Sequence, residues 1–278
     1  MLTKLKDLGR LLRPQQQYKA FIVWLPALFH GQGSLRLHGA PLLLLTLTWM
    51  ATGSLVYVLS DMKDAAEDAA REERRHRPLA SGAVSRGEAL VLAALLAAGL
   101  LLLLRLQPPR LGLLVAAYLA LNLAYGLGLK KALGVQQAII AAGFWLRLQS
   151  GGAPVVDLPV TPWAALFTLG LAYYLNCLKG LGAKAEDRHR PHRFAMGVGA
   201  ALAGSLALAA LVAICLKRGL EGSMRFPELP PLFCLVGMHR VAQRAFGAEG
   251  QKEQALTFAA DPVNLACMAG FLLAFLAR

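Results

Sequence analysis

Long apolar segments alternate with short polar connections along almost the whole chain. A strand-like alternation of apolar and polar residues is not found between them, and a backbone in lipid must satisfy its own hydrogen bonds, which favours helices. The pattern predicts an all-α, polytopic membrane protein with about nine transmembrane helices, each close to the roughly 20 residues needed to cross the hydrocarbon layer. The segments are 18–34, 39–60, 88–106, 110–128, 133–150, 162–180, 194–216, 228–246 and 262–277.

The first residues, 1–13, have a pattern of their own. Leu2, Leu5, Leu8 and Leu12 recur at three- and four-residue spacing, and charged residues occupy other positions. This spacing predicts a short amphipathic helix that lies on the membrane surface. The segment is too polar for the core of a signal peptide, so we expect the mature and encoded chains to be identical.

The composition supports the membrane interpretation. Of the 278 residues, 56% are hydrophobic and 16% are charged, and the mean hydropathy is +0.50. Soluble domains are about 45–50% apolar and about 25% charged, so this chain lacks the polar residues that would coat a water-soluble protein. We expect a single membrane domain over 1–278. The four cysteines stand singly in apolar stretches, which predicts space-filling thiols and neither disulfides nor a zinc site.

The net charge is +13, and the basic residues collect in alternate connections. Lys and Arg number 21 on one side of the predicted membrane and 8 on the other. Because cytoplasmic loops carry the excess of Lys and Arg, we predict a cytoplasmic N-terminus in a multi-pass protein of the inner membrane. The long polar connections 61–86 and 179–193 then face the cytoplasm, where we expect the active site. The expected partners are the lipid bilayer and anionic substrates, with no nucleic acid.

Acidic residues crowd the end of the second predicted span. Six of the 16 fall between residues 61 and 73, and a helix continued through them places four on one narrow stripe: Asp61, Asp64, Asp68 and Glu72. Like charges at this spacing repel one another, so the stripe predicts a bound cation. Carboxylate oxygens suit Mg²⁺, which commonly bridges to substrate phosphates.

Arginines follow the acidic stripe in sequence. Four of them, Arg71, Arg74, Arg75 and Arg77, could hold the remaining oxygens of a phosphate group. The alternative is a solvated helix extension stabilised by Asp–Arg pairs such as Asp64–Arg71 or Asp68–Arg71.

A further arginine, Arg147, lies inside the predicted span 133–150. An intramembrane arginine is a candidate functional residue. Alternatively, its long side chain extends to the outer membrane surface.

The segment SDMKDAAEDAAREERRHRPLASG (60–82) resembles the first aspartate-rich signature, N-D-x-x-D-x-x-x-D, of the UbiA-type intramembrane prenyltransferases. Asp61, Asp64 and Asp68 match its three acidic positions, and Ser60 replaces the usual Asn. The chain looks most like the branch that transfers phosphoribose to decaprenyl phosphate. Three further segments are similar to that branch in the same order: 11–29, 124–152 and 247–265.

The resemblance implies a UbiA-type bundle and a Mg²⁺-dependent transferase whose leaving group is diphosphate. It implies that Asp61, Asp64 and Asp68 are catalytic and hold the metal. The implied donor is phosphoribosyl diphosphate, and the implied acceptor is a polyprenyl phosphate. In the connection 179–193, Glu186 could replace an acid of the branch. The candidate substrate-binding residues are Lys19, Ser60, Arg74, Arg77, Lys130, Lys179 and Glu186.

Two other functions stay open. A UbiA-type prenyltransferase would use the same stripe to ionise a polyprenyl diphosphate, for attack by an aromatic or other acceptor. The missing second acidic motif in 179–193 disfavours this function. A non-enzymatic protein that binds or transports lipid phosphates would keep the fold, although nine spans without an evident inverted repeat argue against a transporter.

Overall fold

The computed structural model describes residues 2–72, 74–126, 135–181, 190–246 and 261–277. Within these ranges the chain is helical apart from short connections, which confirms the all-α prediction. A 3₁₀ helix, Pro14–Trp24, follows the first α-helix. The α-helices in chain order are α1 (Leu2–Leu11), α2 (Leu25–His30), α3 (Gln32–Ala70), α4 (Arg86–Arg105), α5 (Pro109–Gly126), α6 (Val135–Ser150), α7 (Ala153–Val156), α8 (Pro162–Leu181), α9 (Arg190–Leu220), α10 (Leu229–Phe246) and α11 (Pro262–Leu276).

Several of these helices are suited to a membrane. Among the described residues, α3, α4, α8 and α9 are long and apolar enough to cross one, and α11 is a shorter apolar helix. Together with the helical fold, this supports a multi-pass membrane protein. The count of nine spans and the cytoplasmic N-terminus stay predictions.

The first predicted span, 18–34, is wrong as a single helix. The chain forms the 3₁₀ helix, then α2, and then turns at Gly31, whose φ of 105° is one that only glycine adopts readily. Pro14 and Pro26 each occupy the start of a helix, where a missing N–H does no harm. The next helix, α3, therefore begins earlier than predicted and runs for 39 residues.

The helix α3 is the centre of the N-terminal half. Its buried residues include Leu42, Leu45, Trp49 and Val58, and they join residues of the 3₁₀ helix, α4 and α5 in one apolar core. In the C-terminal half, α8 packs against α9 at a small residue, Gly170, where a Cβ atom would lie 2.7 Å from a backbone oxygen of α9. Close approach at small residues is how membrane helices gain packing contact.

The intramembrane arginine, Arg147, is buried at 5% exposure in α6. It donates hydrogen bonds to the Tyr118 hydroxyl at 2.7 Å and to the Gly143 carbonyl at 3.1 Å. Its guanidinium carbon also lies 5.1 Å from the centre of the Trp49 ring. The interpretation that Arg147 reaches the outer surface is therefore wrong, and its contacts link α3, α5 and α6.

Candidate active site

The carboxylates of the acidic stripe lie on the last turns of α3, which stays helical through Ala70. Asp61 is 5% exposed and Asp68 is 1% exposed, whereas Asp64 is half-buried. The predicted fourth member, Glu72, is not on the stripe. The chain becomes extended at Arg71, because the helix has ended, and the Glu72 side chain is exposed.

The 3₁₀ helix runs antiparallel to α3 and brings a basic residue to the stripe. Its Trp24 donates to Thr46 at 2.8 Å, and Gln17 donates to Ser54 at 2.9 Å. The next contact, just before the start of the 3₁₀ helix and towards the end of α3, is an ion pair in which Arg13 Nη2 lies 2.5 Å from Asp61 Oδ1.

Arg13 itself has a left-handed backbone, with φ 47° and ψ 62°. Such a conformation is uncommon for a residue with a side chain and costs about 1 kcal/mol or more, so the surrounding contacts must hold it. Two are evident: the Asp61 ion pair, and the face of the Tyr57 ring, whose centre is 4.9 Å from the guanidinium carbon.

The connection after α3 folds back and brings two more arginines to the stripe. Arg77 Nη1 lies 2.7 Å from Asp68 Oδ2 and 3.5 Å from Asp61 Oδ1, so it bridges the two buried carboxylates. Arg74 Nη1 lies 3.4 Å from Asp68 Oδ1. The fold-back ends at Val84, which is 1% exposed and donates its backbone N–H to the Pro78 carbonyl at 3.0 Å.

The N-terminal helix α1 also contacts this connection. Lys4 Nζ donates to the Ala83 carbonyl at 3.1 Å and lies 2.9 Å from a carboxylate oxygen of Glu88. The pairs expected for a simple solvated extension, between Arg71 and Asp64 or Asp68, are replaced by an Arg71–Glu67 pair at 2.6 Å.

The third carboxylate, Asp64, has different neighbours. Ser60 Oγ donates to Asp64 Oδ2 at 3.5 Å. On the same helix, Lys63 Nζ donates to the Gly126 carbonyl, which ties α3 to the last residue of α5. The site therefore joins α3 to α5 as well as to the 3₁₀ helix.

Of the remaining predicted substrate-binding residues, the structure describes two, Lys19 and Lys179. Lys19 is half-buried in the 3₁₀ helix, with its Nζ 6.0 Å from the centre of the Tyr18 ring. Lys179 is exposed in the last turn of α8. Lys130 and Glu186 fall outside the described residues.

Comparison with known proteins identifies the family. The model of the UbiA prenyltransferase family matches residues 20–274, most of the chain. The chain belongs to the UbiA prenyltransferase family. A solved structure of digeranylgeranylglyceryl phosphate synthase shares this UbiA fold, with a TM-score of 0.64 and 16% identity over 98% of this chain and 97% of that one.

Curated relatives of this UbiA-family chain carry a more specific name. The decaprenyl-phosphate phosphoribosyltransferase of Mycolicibacterium smegmatis is 34% identical over 113 residues, which are 41% of this chain and 35% of the relative. The enzyme of the same name from Mycobacterium tuberculosis is 27% identical over 161 residues, 56% of this chain and 53% of the relative. The matched stretches thus span about a third to about half of those relatives. These matches show the branch of the UbiA family to which the chain is similar.

Membership of the UbiA family implies a Mg²⁺ site, and these carboxylates are the residues that would form it. Within the described ranges, no three Asp, Glu, His or Cys side chains converge as a ready cage for a metal. The donors still fit Mg²⁺, which keeps several waters and is held by one or two carboxylates together with substrate phosphates. Both arginine contacts of Asp61 use the same oxygen, Oδ1, whereas Asp68 meets arginines through both oxygens.

Arg13 is the site residue of this UbiA-family chain to which the sequence assigned no role. The Arg-Pro pair at 13–14 is part of the resemblance, and this is the signal that could have found it. Its partner, Asp61, is 48 residues away in sequence, so no local periodicity could have joined the two.

Proposed function

We propose that this protein transfers 5-phosphoribose from phosphoribosyl diphosphate to the phosphate of a polyprenyl phosphate and releases diphosphate. The main support is a network of ion pairs at the end of α3. Two buried carboxylates, Asp61 and Asp68, pair with three arginines there: Arg13, Arg74 and Arg77. Such a site offers carboxylates to a divalent metal and guanidinium groups to phosphate oxygens. The relatives named decaprenyl-phosphate phosphoribosyltransferase support the choice of substrates.

The acidic stripe is assigned to the diphosphate. Asp61, Asp64 and Asp68 would hold Mg²⁺. Among the described contacts, the arginines beside Asp61 meet only its Oδ1, and the side-chain contact of Asp64 is with Ser60. When bound, the ion would neutralise the negative charge that develops on the departing diphosphate. Ser60 keeps Asp64 oriented through its hydroxyl group.

The arginines are assigned to phosphate oxygens. The C1–O bond to diphosphate breaks, with its electron pair leaving on the diphosphate, and a C1–O bond forms to an oxygen of the lipid phosphate. Arg74 and Arg77 stabilise the charge on the leaving group, because fixed cations lower the energy of a transition state in which negative charge grows. The attacking phosphate oxygen is already an anion, so no general base is required.

The other candidates complete the substrate contacts in this proposal. Lys19 and Lys179 grip the phosphorylated substrates, and Lys130 and Glu186 are assigned to substrate binding with them. The domain spans 1–278, with 1–13 on the membrane surface. The active-site connections 61–86 and 179–193 face the cytoplasm at the inner membrane.

A two-donor assay tests the proposed reaction. Membranes that contain the protein are incubated with Mg²⁺ and polyprenyl phosphate, and with either labelled phosphoribosyl diphosphate or a labelled prenyl diphosphate. Label from phosphoribosyl diphosphate in the chloroform-soluble product is the expected result. Label only from the prenyl diphosphate, transferred to an added acceptor, would show a prenyltransferase and contradict the proposal. Absence of transfer from both donors would favour a carrier.

A further inference from the structure

The 3₁₀ helix that precedes α2 is unusually long for its kind. It runs for 11 residues, whereas 3₁₀ helices longer than about three or four residues are uncommon, because their hydrogen bonds are poorer than those of an α-helix. Three residues complete each turn, so every third side chain shares a face. One face carries Tyr18 and Phe21, which are exposed, and another carries Ala20 and Val23, which are buried. The third face carries Gln16, which is 8% exposed, so a polar side chain is held inside the bundle.

The side chain of Gln16 has an unused hydrogen-bond acceptor. Its Oε1 is buried and accepts no hydrogen bond in the part of the chain that the structure describes. The next residue, Gln17, by contrast donates to the Leu12 carbonyl at 2.6 Å and to Ser54 Oγ at 2.9 Å. Buried polar groups nearly always have a partner, since an unpaired one has given up its water without compensation. Gln16 therefore offers an acceptor to a ligand that donates a hydrogen bond.

A second unpaired acceptor of the same kind lies on α6. Gln137 is 5% exposed, and its Oε1 likewise finds no partner among the described residues. The helix α6 packs against the 3₁₀ helix, and at one end of this contact a Cβ atom on Gly151 would collide with the Val23 carbonyl. Gln137 comes 14 residues before Gly151, which is about four helical turns, so it lies on the face of α6 that meets the 3₁₀ helix.

Both unpaired acceptors lie near the depth of the Arg13–Asp61 ion pair. The 3₁₀ helix and α6 run in the same direction, because the 3₁₀ helix is antiparallel to α3 and the helices α3 to α6 alternate in direction. Counted back from the contact that ends these two elements, Arg13 lies about 20 Å away along the 3₁₀ helix, and Gln137 lies about 21 Å away along α6. Gln137 is thus level with the ion pair. Gln16, one turn from Arg13, lies about 6 Å farther along the 3₁₀ helix.

We propose that Gln16 and Gln137 bind hydroxyl groups of the ribose in the phosphoribosyl donor, and that they select this donor over a prenyl diphosphate. The inference rests on the proposed function for the identity of the donor. A hydroxyl group donates the hydrogen bond that each Oε1 lacks, and its own oxygen accepts one from an amide N–H. The two glutamines are therefore specificity-determining residues that contact the sugar.

The chemistry of the two possible donors favours the ribose. Its ring is bonded directly to the diphosphate, so its hydroxyl groups lie within a few ångströms of the phosphates that the arginines and Mg²⁺ would hold. Neutral amides beside a charged network match a neutral sugar beside a charged diphosphate. A prenyl chain has no hydroxyl group and would leave both amides unpaired, and sites built to hydrogen-bond a hydroxyl group reject ligands that lack it.

Equilibrium binding to the purified full-length protein in detergent with Mg²⁺ tests the proposal. The two ligands are phosphoribosyl diphosphate and inorganic diphosphate, since both carry the diphosphate and only the first carries the sugar. We expect Gln16→Leu and Gln137→Leu each to weaken phosphoribosyl diphosphate binding by about tenfold, the effect of one lost hydrogen bond. Each should change inorganic diphosphate binding by less than about twofold, because the metal and arginine contacts are untouched.

A matched control is available at the other end of α3. Gln107 is an amide whose Oε1 also lacks a described partner, and it donates to Thr48 at 2.6 Å. Thr48 lies about 20 Å from Asp61 along the helix. Gln107→Leu should therefore change the affinity for either ligand by less than about twofold.

The stability of the ligand-free variants separates a ligand contact from a structural role. Gln16→Leu replaces an oxygen without a partner by an apolar group, so its Tm should equal or exceed that of the wild type. A glutamine that only supported the fold would lower the Tm and weaken both ligands alike. Gln16→Asn, which draws the amide back by one methylene group, should show the same selective loss and serves if the leucine variant does not fold.

The outcomes distinguish this inference from the proposed function. Unchanged phosphoribosyl diphosphate binding in the Gln16 and Gln137 variants, or an equal loss of both ligands, would overturn the inference, and phosphoribose transfer by the same proteins would leave the proposed function intact. A selective loss of phosphoribosyl diphosphate binding in these variants, with no phosphoribose transfer by the wild type, would contradict the proposed function alone.

Discussion

At the scale of single residues, Asp68 is the most constrained carboxylate of the site. It is 1% exposed, and its two oxygens meet Arg77 and Arg74 separately. Removal of one partner from a buried ion pair leaves an uncompensated charge, which is far more costly than the pair is favourable. Asp68 therefore holds the arginines at the site in addition to any role towards a metal.

Neutralising this carboxylate should destabilise the fold. We expect Asp68→Asn to lower the free energy of unfolding by about 3 kcal/mol, because Arg77 loses its nearer partner. Glu67→Gln is the control, since Glu67 is 55% exposed one position away and its pair with Arg71 is worth less than about 1 kcal/mol. Unfolding in mild detergent measures both, and equal losses would count against the buried network.

The acidic residues show what local sequence can predict. Helical periodicity placed Asp61, Asp64 and Asp68 on one face, because their spacing depends only on the helix continuing. The same reasoning misplaced Glu72, since it could not locate the helix end at Ala70. Contacts made by distant segments, such as the one with Arg13, depend on how helices pack and lie beyond any local pattern.

At the scale of elements, the packing of α8 on α9 depends on Gly170. Gly170→Ala should lower the free energy of unfolding by about 1–3 kcal/mol, since its Cβ would lie 2.7 Å from the Ala203 carbonyl. Gly197→Ala in α9 is the control, because its Cβ has open space within 4 Å and alanine favours a helix by up to about 1 kcal/mol. Thermal unfolding should separate the two variants, and equal stabilities would contradict the close approach.

The charged contact between α10 and α11 makes stability depend on pH. Although burial opposes it, the Asn264 amide and the side chains of Arg240 and Arg244 lower the pKa of Asp261 below 3.8. A carboxylate with a lowered pKa contributes its full stability above the unfolded pKa and loses it as pH falls through the folded pKa. The difference in Tm between wild type and Asp261→Asn should be constant above about pH 5 and shrink below pH 3.8. A difference that widens on acidification would be the contrary result.

Element prediction from hydropathy worked where a helix stands alone in a long apolar segment. The predicted spans 88–106 and 162–180 agree with α4 and α8 within two residues at each end. Prediction was poorer for 18–34, because the 3₁₀ geometry is fixed by packing on α3, through contacts such as Trp24 with Thr46. Hydropathy reports burial in an apolar medium and is insensitive to the kind of helix.

At the scale of the whole molecule, the asymmetry of Lys and Arg predicts a cytoplasmic N-terminus. In a cysteine-depleted protein, Ser81→Cys lies in the connection after α3 and Glu221→Cys lies after α9, and both positions are exposed. We expect a membrane-impermeant maleimide to label Glu221→Cys in intact spheroplasts and Ser81→Cys only after lysis. The opposite pattern would reverse the predicted topology.

The central claim is that the end of α3 binds a diphosphate through Mg²⁺. The direct measurement is the thermal stabilisation of the purified protein by phosphoribosyl diphosphate with and without Mg²⁺. It is repeated in Asp64→Asn and in Glu67→Gln, which keeps the stripe intact. The account predicts Mg²⁺-dependent stabilisation of the wild type and Glu67→Gln that Asp64→Asn loses. Equal stabilisation of Asp64→Asn, or stabilisation that is independent of Mg²⁺, would contradict it.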